Sequence, residues 1–131
     1  MITLEKVLTI HSLALDKFGG SEGVRDMNLL DSAIKRPFAT FDGQELYPKA
    51  TDKAAAIIES IVKNHPFSDG NKRTGYILMR FILLKAGIDV EATEDEKYDF
   101  VIRIAESKMA FEEIKLWIED RLEKNKKTSY Q

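Results

Sequence analysis

The most chemically suggestive part of this 131-residue sequence runs from His65 to Arg73 and reads His-Pro-Phe-Ser-Asp-Gly-Asn-Lys-Arg. It combines a histidine, a carboxylate, a glycine and two consecutive cations, and a long apolar segment follows directly. A histidine can accept a proton near neutral pH, and a carboxylate can share a Mg²⁺ ion with substrate phosphates. These residue types therefore suit a site for phosphoryl or nucleotidyl transfer.

The placement of the two cations, Lys72 and Arg73, indicates an anionic ligand. The apolar pattern of residues 71–86 predicts a helix, so both cations fall in its first turn, where positive charge opposes the helix macrodipole. A bound polyphosphate would supply the missing negative charge, and the unpaired N–H groups of that turn would help to hold it. Gly70 lets backbone approach a ligand closely, and Asn71 can either cap the helix or bond a phosphate oxygen.

The rest of the chain predicts an all-α fold of about six helices around a central buried helix at 71–86, with a short flap or hairpin near 38–48. We expect one domain, residues 1–124, and a polar C-terminal tail, residues 125–131. The residues predicted to begin helices as N-caps are Thr3, Asp26, Thr51 and Thr93. Phe67 is predicted to anchor the motif loop in the core, and His11 to be structural or at the surface.

Composition narrows the class of protein further. The net charge is −2, with 20 basic and 22 acidic residues, so no general nucleic-acid binding is expected. The absence of cysteine excludes disulfides and thiolate nucleophiles. The apolar run 77–84 is interrupted by Arg80 and is far shorter than the ~20 residues of a membrane span. No signal peptide is evident at Met1, so we expect a cytoplasmic protein without membrane contact.

The string at 65–73 resembles the signature of the Fic/Doc family, H-x-F-x-[D/E]-[G/A]-N-[G/K]-R. Every fixed position matches, from His65 and Phe67 to Arg73. Several residue classes must coincide at fixed spacing, so the match is specific. Further likeness to the death-on-curing (Doc) branch lies in Phe18-Gly-Gly, Val24-Arg-Asp and Leu29-Leu-Asp-Ser-Ala-Ile, and the resemblance covers at least residues 5–88.

The resemblance implies roles for the motif residues. His65 would be the general base for a target hydroxyl, and Asp69 would help to bind Mg²⁺. The phosphates of ATP would be held by Asn71 and Arg73 and by backbone around Gly70. Doc-type members have lysine at the position of Lys72, which we predict to be catalytic as well as phosphate-binding, and lack the second arginine that other members carry at the position of Tyr76.

Doc-type proteins resemble kinases that move the γ-phosphate of ATP to a threonine of elongation factor Tu and so arrest translation. This implies the toxin of a type II toxin–antitoxin module. The self-inhibitory pattern [S/T]-x-x-x-E-[G/N] is absent, because position 18 is Phe where Glu22-Gly23 would require Ser or Thr. Control in trans is therefore expected, by a Phd-like antitoxin whose helix covers the site.

Other interpretations of the sequence stay open. Pro66 and Gly70 are typical of AMP-transferring Fic proteins, which makes a protein adenylyltransferase the alternative enzyme. A catalytically silent Fic-fold binding module is a third. In structural terms, His65 could simply end a helix, Asp69 could be a turn residue, and Lys72 and Arg73 could form a solvated face.

Overall fold

Six α-helices build most of the fold that the computed structural model describes, which is residues 1–123. The predicted tail 125–131, with the last predicted domain residue, lies outside these described residues. The helices are α1 (Leu4–Phe18), α2 (Met27–Lys35), α3 (Ala50–Asn64), α4 (Asn71–Lys85), α5 (Glu94–Ala105) and α6 (Phe111–Asp120). A 3₁₀ helix (Arg36–Phe38) and the paired strands β1 (Thr40–Phe41) and β2 (Gln44–Glu45) lie between α2 and α3. The predicted all-α class is confirmed.

The core is built on the packing of α3 against α4. The helices approach closely at Gly75, where an added Cβ would lie 2.8 Å from Cγ2 of Val62. The predicted helix at 71–86 does lie in the core, although α4 leaves Leu84 and its first-turn cations exposed. Helix α3 is enclosed on more sides, since it contacts α2, α4, α5, α6 and the 3₁₀ helix.

The far side of the core is closed by α5 and α6. Phe100 and Trp117 stack with ring centroids 3.7 Å apart, and Tyr76 of α4 meets Phe100 edge-on. Trp117 and Met109 are buried in this layer of the core. Burial raises the pKa of Tyr76 to about 12, because ionisation of the phenol would place a charge in this apolar layer.

The helix starts follow the sequence signals at three of four predicted caps. Thr3 accepts a hydrogen bond from the N–H of Lys6, and Asp26 accepts one from Leu29. Thr93 and Glu96 form the predicted reciprocal capping box. The cap predicted at Thr51 is wrong, because α3 begins at Ala50, two residues before the start that a cap at Thr51 implies.

The N-cap of α3 is instead Lys49, whose N–H donates to the carboxylate of Asp52. Thr51 lies inside the first turn, and its hydroxyl donates to Glu119 of α6 at 3.0 Å. The Thr51 side chain therefore forms a hydrogen bond with another helix, although the local sequence predicted that it would cap α3.

The predicted flap is a two-stranded hairpin, in which Thr40 pairs with Glu45 and Phe41 with Gln44. Its turn consists of Asp42 and Gly43, both at positive φ, as a tight hairpin turn requires. Lys53 of α3 anchors the hairpin through hydrogen bonds to Glu45 and to the carbonyl of Tyr47.

Within residues 1–123 the longest helices have 15 residues, and none is both long and apolar enough to cross a bilayer.

Candidate active site

The predicted site is the loop of residues 65–70, which joins the end of α3 to the start of α4. His65 ends α3 in a left-handed conformation (φ 49°), and Gly70 begins α4 in another (φ 76°). Between them Phe67 is 1% exposed, so the predicted apolar anchor is confirmed. The loop thus turns sharply at both ends around one buried ring.

Asn71 secures the loop from within. Its side-chain oxygen accepts from the N–H of Phe67, and its amide donates to the carbonyl of Phe67, both at 3.0 Å. The N-cap of α4 is Gly70 rather than Asn71, and no side chain caps the helix. The first N–H groups of α4 therefore have no capping side chain, as an anion-binding helix start requires.

A second segment, residues 19–26, runs alongside the loop, and we call it the strap. The N–H groups of Arg25 and Asp26 both donate to the carbonyl of Pro66, and Ser68 donates to the carbonyl of Gly23. Val24 and Phe67 form an isolated antiparallel bridge. Backbone bonds thus fix the loop to the strap along most of its length.

Arg25 of the strap also caps the end of α3. Its guanidinium donates to the carbonyls of Asn64 and His65, each at 2.7 Å. A cation is favourable at a helix C-terminus, where the last carbonyls have no helical partner. The contact fixes the backbone from which the exposed His65 side chain projects.

The carboxylate of Asp69 lies against the strap. One oxygen accepts from the N–H of Ser21 at 3.0 Å and the other from the N–H of Gly70 at 2.8 Å. These two bonds hold the pKa of the Asp69 carboxyl below its usual value, because they stabilise the ionised form. Gly20 leaves just enough room, since a Cβ there would lie 2.9 Å from the same carboxylate.

His11 of α1 packs against the loop through Phe67 and Asp69. It is 5% exposed, and its ring stacks on Phe67 with centroids 3.8 Å apart and planes within 7°. Its Nε2 lies 2.8 Å from the carbonyl oxygen of Asp69. Of the two alternatives predicted for His11, the surface position is wrong, because the side chain is buried against the motif.

Lys72 and Arg73 are exposed in the first turn of α4, as the sequence predicts. Within residues 1–123 neither forms an ion pair with a carboxylate. The Arg73 guanidinium lies 4.0 Å from the centre of the Phe18 ring, so α1 orients this cation. Two cations at a helix start, neither of them in an ion pair within this part of the chain, form a site for a polyanion.

The residues near the motif suit a Mg²⁺ ion that is shared between one protein carboxylate and the substrate phosphates. No group of three or more His, Asp or Glu side chains capable of holding a metal lies within the described residues. Mg²⁺ usually binds through one or two carboxylates and completes its shell with substrate phosphates and water. The exposed Asp69, ionised and adjacent to the anion site, fits that use.

The structure brings all the predicted site residues into one loop and one helical turn. They are His65, Asp69, Gly70, Asn71, Lys72 and Arg73. The hairpin is anchored near the start of α3, whereas His65 stands at the end of that helix.

Besides His11, three residues that position the site were not predicted from the sequence to do so: Phe18, Gly20 and Arg25. The pair Gly19-Gly20 is typical of a helix end, and α1 does end there. Nothing in the pair indicates that Gly20 also leaves room for the Asp69 carboxylate. Arg25 has the local pattern of an ordinary surface cation. A basic residue beside Asp26 carries no local sign that it caps a different helix.

Comparisons with known proteins agree with this geometry. A family model described as "Fic/DOC family" matches residues 1–83, which include the loop and most of α4. The chain is also similar to the protein named Toxin Doc of Mycolicibacterium smegmatis. The two are 44% identical over 97 residues, which cover 70% of this chain and 72% of that protein.

Proposed function

Because this chain belongs to the Fic/Doc family, we propose that it is the toxin of a toxin–antitoxin pair and acts as a Doc-like protein kinase that uses Mg-ATP. The observation that carries the proposal is the pair Lys72 and Arg73 at the uncapped start of α4, neither of them in an ion pair within the described chain. The helix dipole disfavours cations at that position. A bound nucleotide polyphosphate would offset that cost.

The proposed reaction gives each of these groups a role. The hydroxyl oxygen of the target attacks the γ-phosphorus of ATP, and the bond from that phosphorus to the oxygen bridging to the β-phosphate breaks. ADP leaves with the electron pair of that bond, while His65 accepts the proton of the hydroxyl. Lys72, Arg73 and the first N–H groups of α4 stabilise the phosphate charge. Mg²⁺ bound at Asp69 would neutralise part of that charge.

Tyr76 favours phosphate transfer over AMP transfer. The family's AMP-transferring members place a second arginine at this position, whereas here the ring is buried against Phe100 and Lys97 of α5. It adds no positive charge to the phosphate site. With the lysine at position 72, this makes the phosphate-binding group Doc-like.

The relative's name, Toxin Doc, supports a cognate antitoxin as one partner. We expect a cognate Phd-like antitoxin whose helix covers the site, and elongation factor Tu as the phosphorylated target, in the cytoplasm. The exposure of His65, Lys72 and Arg73 would allow both proteins to reach the site.

Protein adenylylation is the second candidate, favoured by Pro66 and Gly70. Gly70 adopts φ 76°, a conformation that other residues resist, and it is typical of AMP-transferring members. The two reactions differ in which phosphate of ATP becomes attached to the target, so labelling separates them.

The test is label transfer in a bacterial translation extract. Purified protein is incubated with Mg²⁺ and ATP labelled at the γ- or at the α-phosphate. We expect labelling of one protein from the γ-phosphate only. Labelling from the α-phosphate would replace the kinase proposal by adenylylation.

His65→Ala tests the assignment of the base in the same assay. Removing a general base lowers rates by roughly 100- to 10,000-fold. Lys85→Ala, which removes an exposed cation from the last turn of the same helix, is the matched control and should retain activity. Full activity of His65→Ala would exclude the mechanism, and absence of label with wild-type protein would exclude both transfer reactions.

A further inference from the structure

We propose that His11 is a positioning residue that fixes the Asp69–Gly70 peptide plane and, through it, the geometry of the phosphate site. The role rests on the proposed function, because it concerns how nucleotide is held. The contacts that carry it lie on α1, outside the motif. In this proposal His11 contacts neither the target hydroxyl nor the γ-phosphate of ATP, so it is not a catalytic residue.

The hydrogen bond has a defined direction. The carbonyl oxygen of Asp69 can only accept, so the Nε2 of His11, 2.8 Å away, must carry the hydrogen. The ring cannot move away easily, since it is buried and stacked on the buried Phe67. The donor is therefore held in place by the same ring that anchors the loop.

Fixing this carbonyl fixes the opposite edge of the peptide. In a trans peptide the C=O and the following N–H point in opposite directions. With the Asp69 carbonyl held toward α1, the Gly70 N–H points away from it, where it donates to the Asp69 carboxylate at 2.8 Å. One bond from His11 thereby orients both the first N–H of the helix start and the carboxylate.

Gly70 makes such a restraint necessary. A flip of the Asp69–Gly70 peptide would move Gly70 from its φ of 76° to negative φ, and glycine adopts either conformation readily. In the flipped state the carbonyl oxygen would face the Asp69 carboxylate, and the Gly70 N–H would no longer bind it. That repulsion would displace the carboxylate proposed to bind Mg²⁺ with the nucleotide, so His11 selects the binding-competent state.

Two substitutions separate the donor from the ring. His11→Phe keeps a ring that can stack on Phe67 but removes the N–H. His11→Gln keeps an N–H donor of similar reach but removes the stacking. If His11 only supported the fold, nucleotide affinity would follow the melting temperature in both variants.

The first measurement is Mg-ATP affinity of the full chain by calorimetry, beside the melting temperature. We expect His11→Phe to weaken binding about 10-fold with little change in melting temperature, the size expected for one positioning hydrogen bond. We expect His11→Gln to melt earlier yet bind within roughly 3-fold of wild type, because the donor remains. Wild-type affinity in His11→Phe, or losses of affinity that parallel melting in both variants, would overturn the proposal.

The second measurement needs no nucleotide. The carbonyl carbon resonance of Asp69 in NMR spectra reports its hydrogen bond, and we expect it to move upfield in His11→Phe but not in His11→Gln. An unchanged resonance in His11→Phe would overturn the positioning role. If wild-type protein fails to bind Mg-ATP while the resonance moves as expected, the proposed kinase function fails and the role of His11 in the loop stands.

Discussion

Helix α3 begins and ends among charged residues, and the two groups of charges are arranged differently. At its start, Asp52 pairs with Lys115 of α6 at 2.8 Å and Lys53 pairs with Glu45 of the hairpin at 2.7 Å. Beyond its end, Lys72 and Arg73 face solvent without an acidic partner in residues 1–123. The loop between them and α3 is held by hydrogen bonds to the backbone.

This difference shows how one helix serves both the fold and the site. At the start of α3 opposite charges satisfy each other and join α3 to α6 and the hairpin. At the other end the strap, Asn71 and His11 hold the loop through its N–H and carbonyl groups. Lys72 and Arg73 remain outside any ion pair in residues 1–123, so this helix start is preorganised to bind an anionic ligand.

After His65→Ala, the largest expected effect comes from Lys72→Ala. We expect transfer activity to fall at least roughly 100-fold, as when a preorganised electrostatic group is removed from an active site. The free energy of unfolding should stay unchanged or rise by about 0.3–1 kcal/mol, because the cation opposes the helix dipole. Activity is measured by label transfer and stability by urea denaturation.

Lys85→Ala is the control for Lys72→Ala at the opposite end of α4. A cation in the last turn favours the dipole, so its removal should lower stability slightly and leave activity intact. If both variants lost stability equally, the charges at the two ends of α4 would not differ in the way we describe.

Gly20→Ala should have the next largest effect, through the backbone that holds Asp69. Gly20 has φ +125°, and a Cβ would meet the Asp69 carboxylate and the Leu15 side chain at 2.9 Å each. We expect a loss of about 2 kcal/mol in the free energy of unfolding and weaker Mg-ATP binding, since strained backbone costs of order 1–3 kcal/mol and the carboxylate must shift.

Gly19→Ala separates strain from steric clash in that experiment. Gly19 also has positive φ (+83°), but nothing lies within 4 Å of the position that an added methyl group would occupy. The substitution should therefore be less destabilising and should leave Mg-ATP affinity unchanged. Equal loss of affinity in the two variants would show that the contact with Asp69 is not what matters.

The sequence predicted the parts of the site whose signals are local. The first-turn cations, the apolar anchor Phe67 and the glycine before α4 all lie within one short stretch, where helix periodicity fixes their relative placement. The hairpin turn at Asp42-Gly43 was predictable for the same reason, because the two residues themselves favour positive φ.

What the sequence could not predict depends on contacts between distant residues. His11 and Asp69 are 58 residues apart, Arg25 and His65 are 40 apart, and Thr51 and Glu119 are 68 apart. Each of these side chains has an acceptable local interpretation, as a helix residue, a surface cation or an N-cap. Only the packing of α1, the strap and α6 decides which interpretation holds.

The smallest expected effect is that of Asp52→Asn at the start of α3. Asp52 loses hydration on burial, which raises its pKa, but the hydrogen bonds from Lys115 and from the N–H of Lys49 outweigh this and hold the pKa below its usual value. We expect the melting temperature at pH 7 to fall by roughly 3–6 °C, as for the loss of about 1 kcal/mol of helix capping.

The effect of Asp52→Asn should depend on pH with a definite sign. A carboxyl whose pKa is lowered by folding stabilises the protein above its unfolded-state pKa of about 3.9 and loses that contribution as pH falls through the folded-state value. Lys115, whose pKa its hydrogen bond to Asp52 raises, loses its contribution only above its unfolded-state value of about 10.4. The melting temperatures of wild type and Asp52→Asn should therefore differ most between these limits and converge in acid.

Asp31→Asn is the control. It breaks the exposed pair with Lys35 and should change the melting temperature little at any pH. A difference between wild type and Asp52→Asn that persisted unchanged in acid would mean that the charge of Asp52 does not stabilise the start of α3, and the contrast between the two ends of the helix would lose its basis.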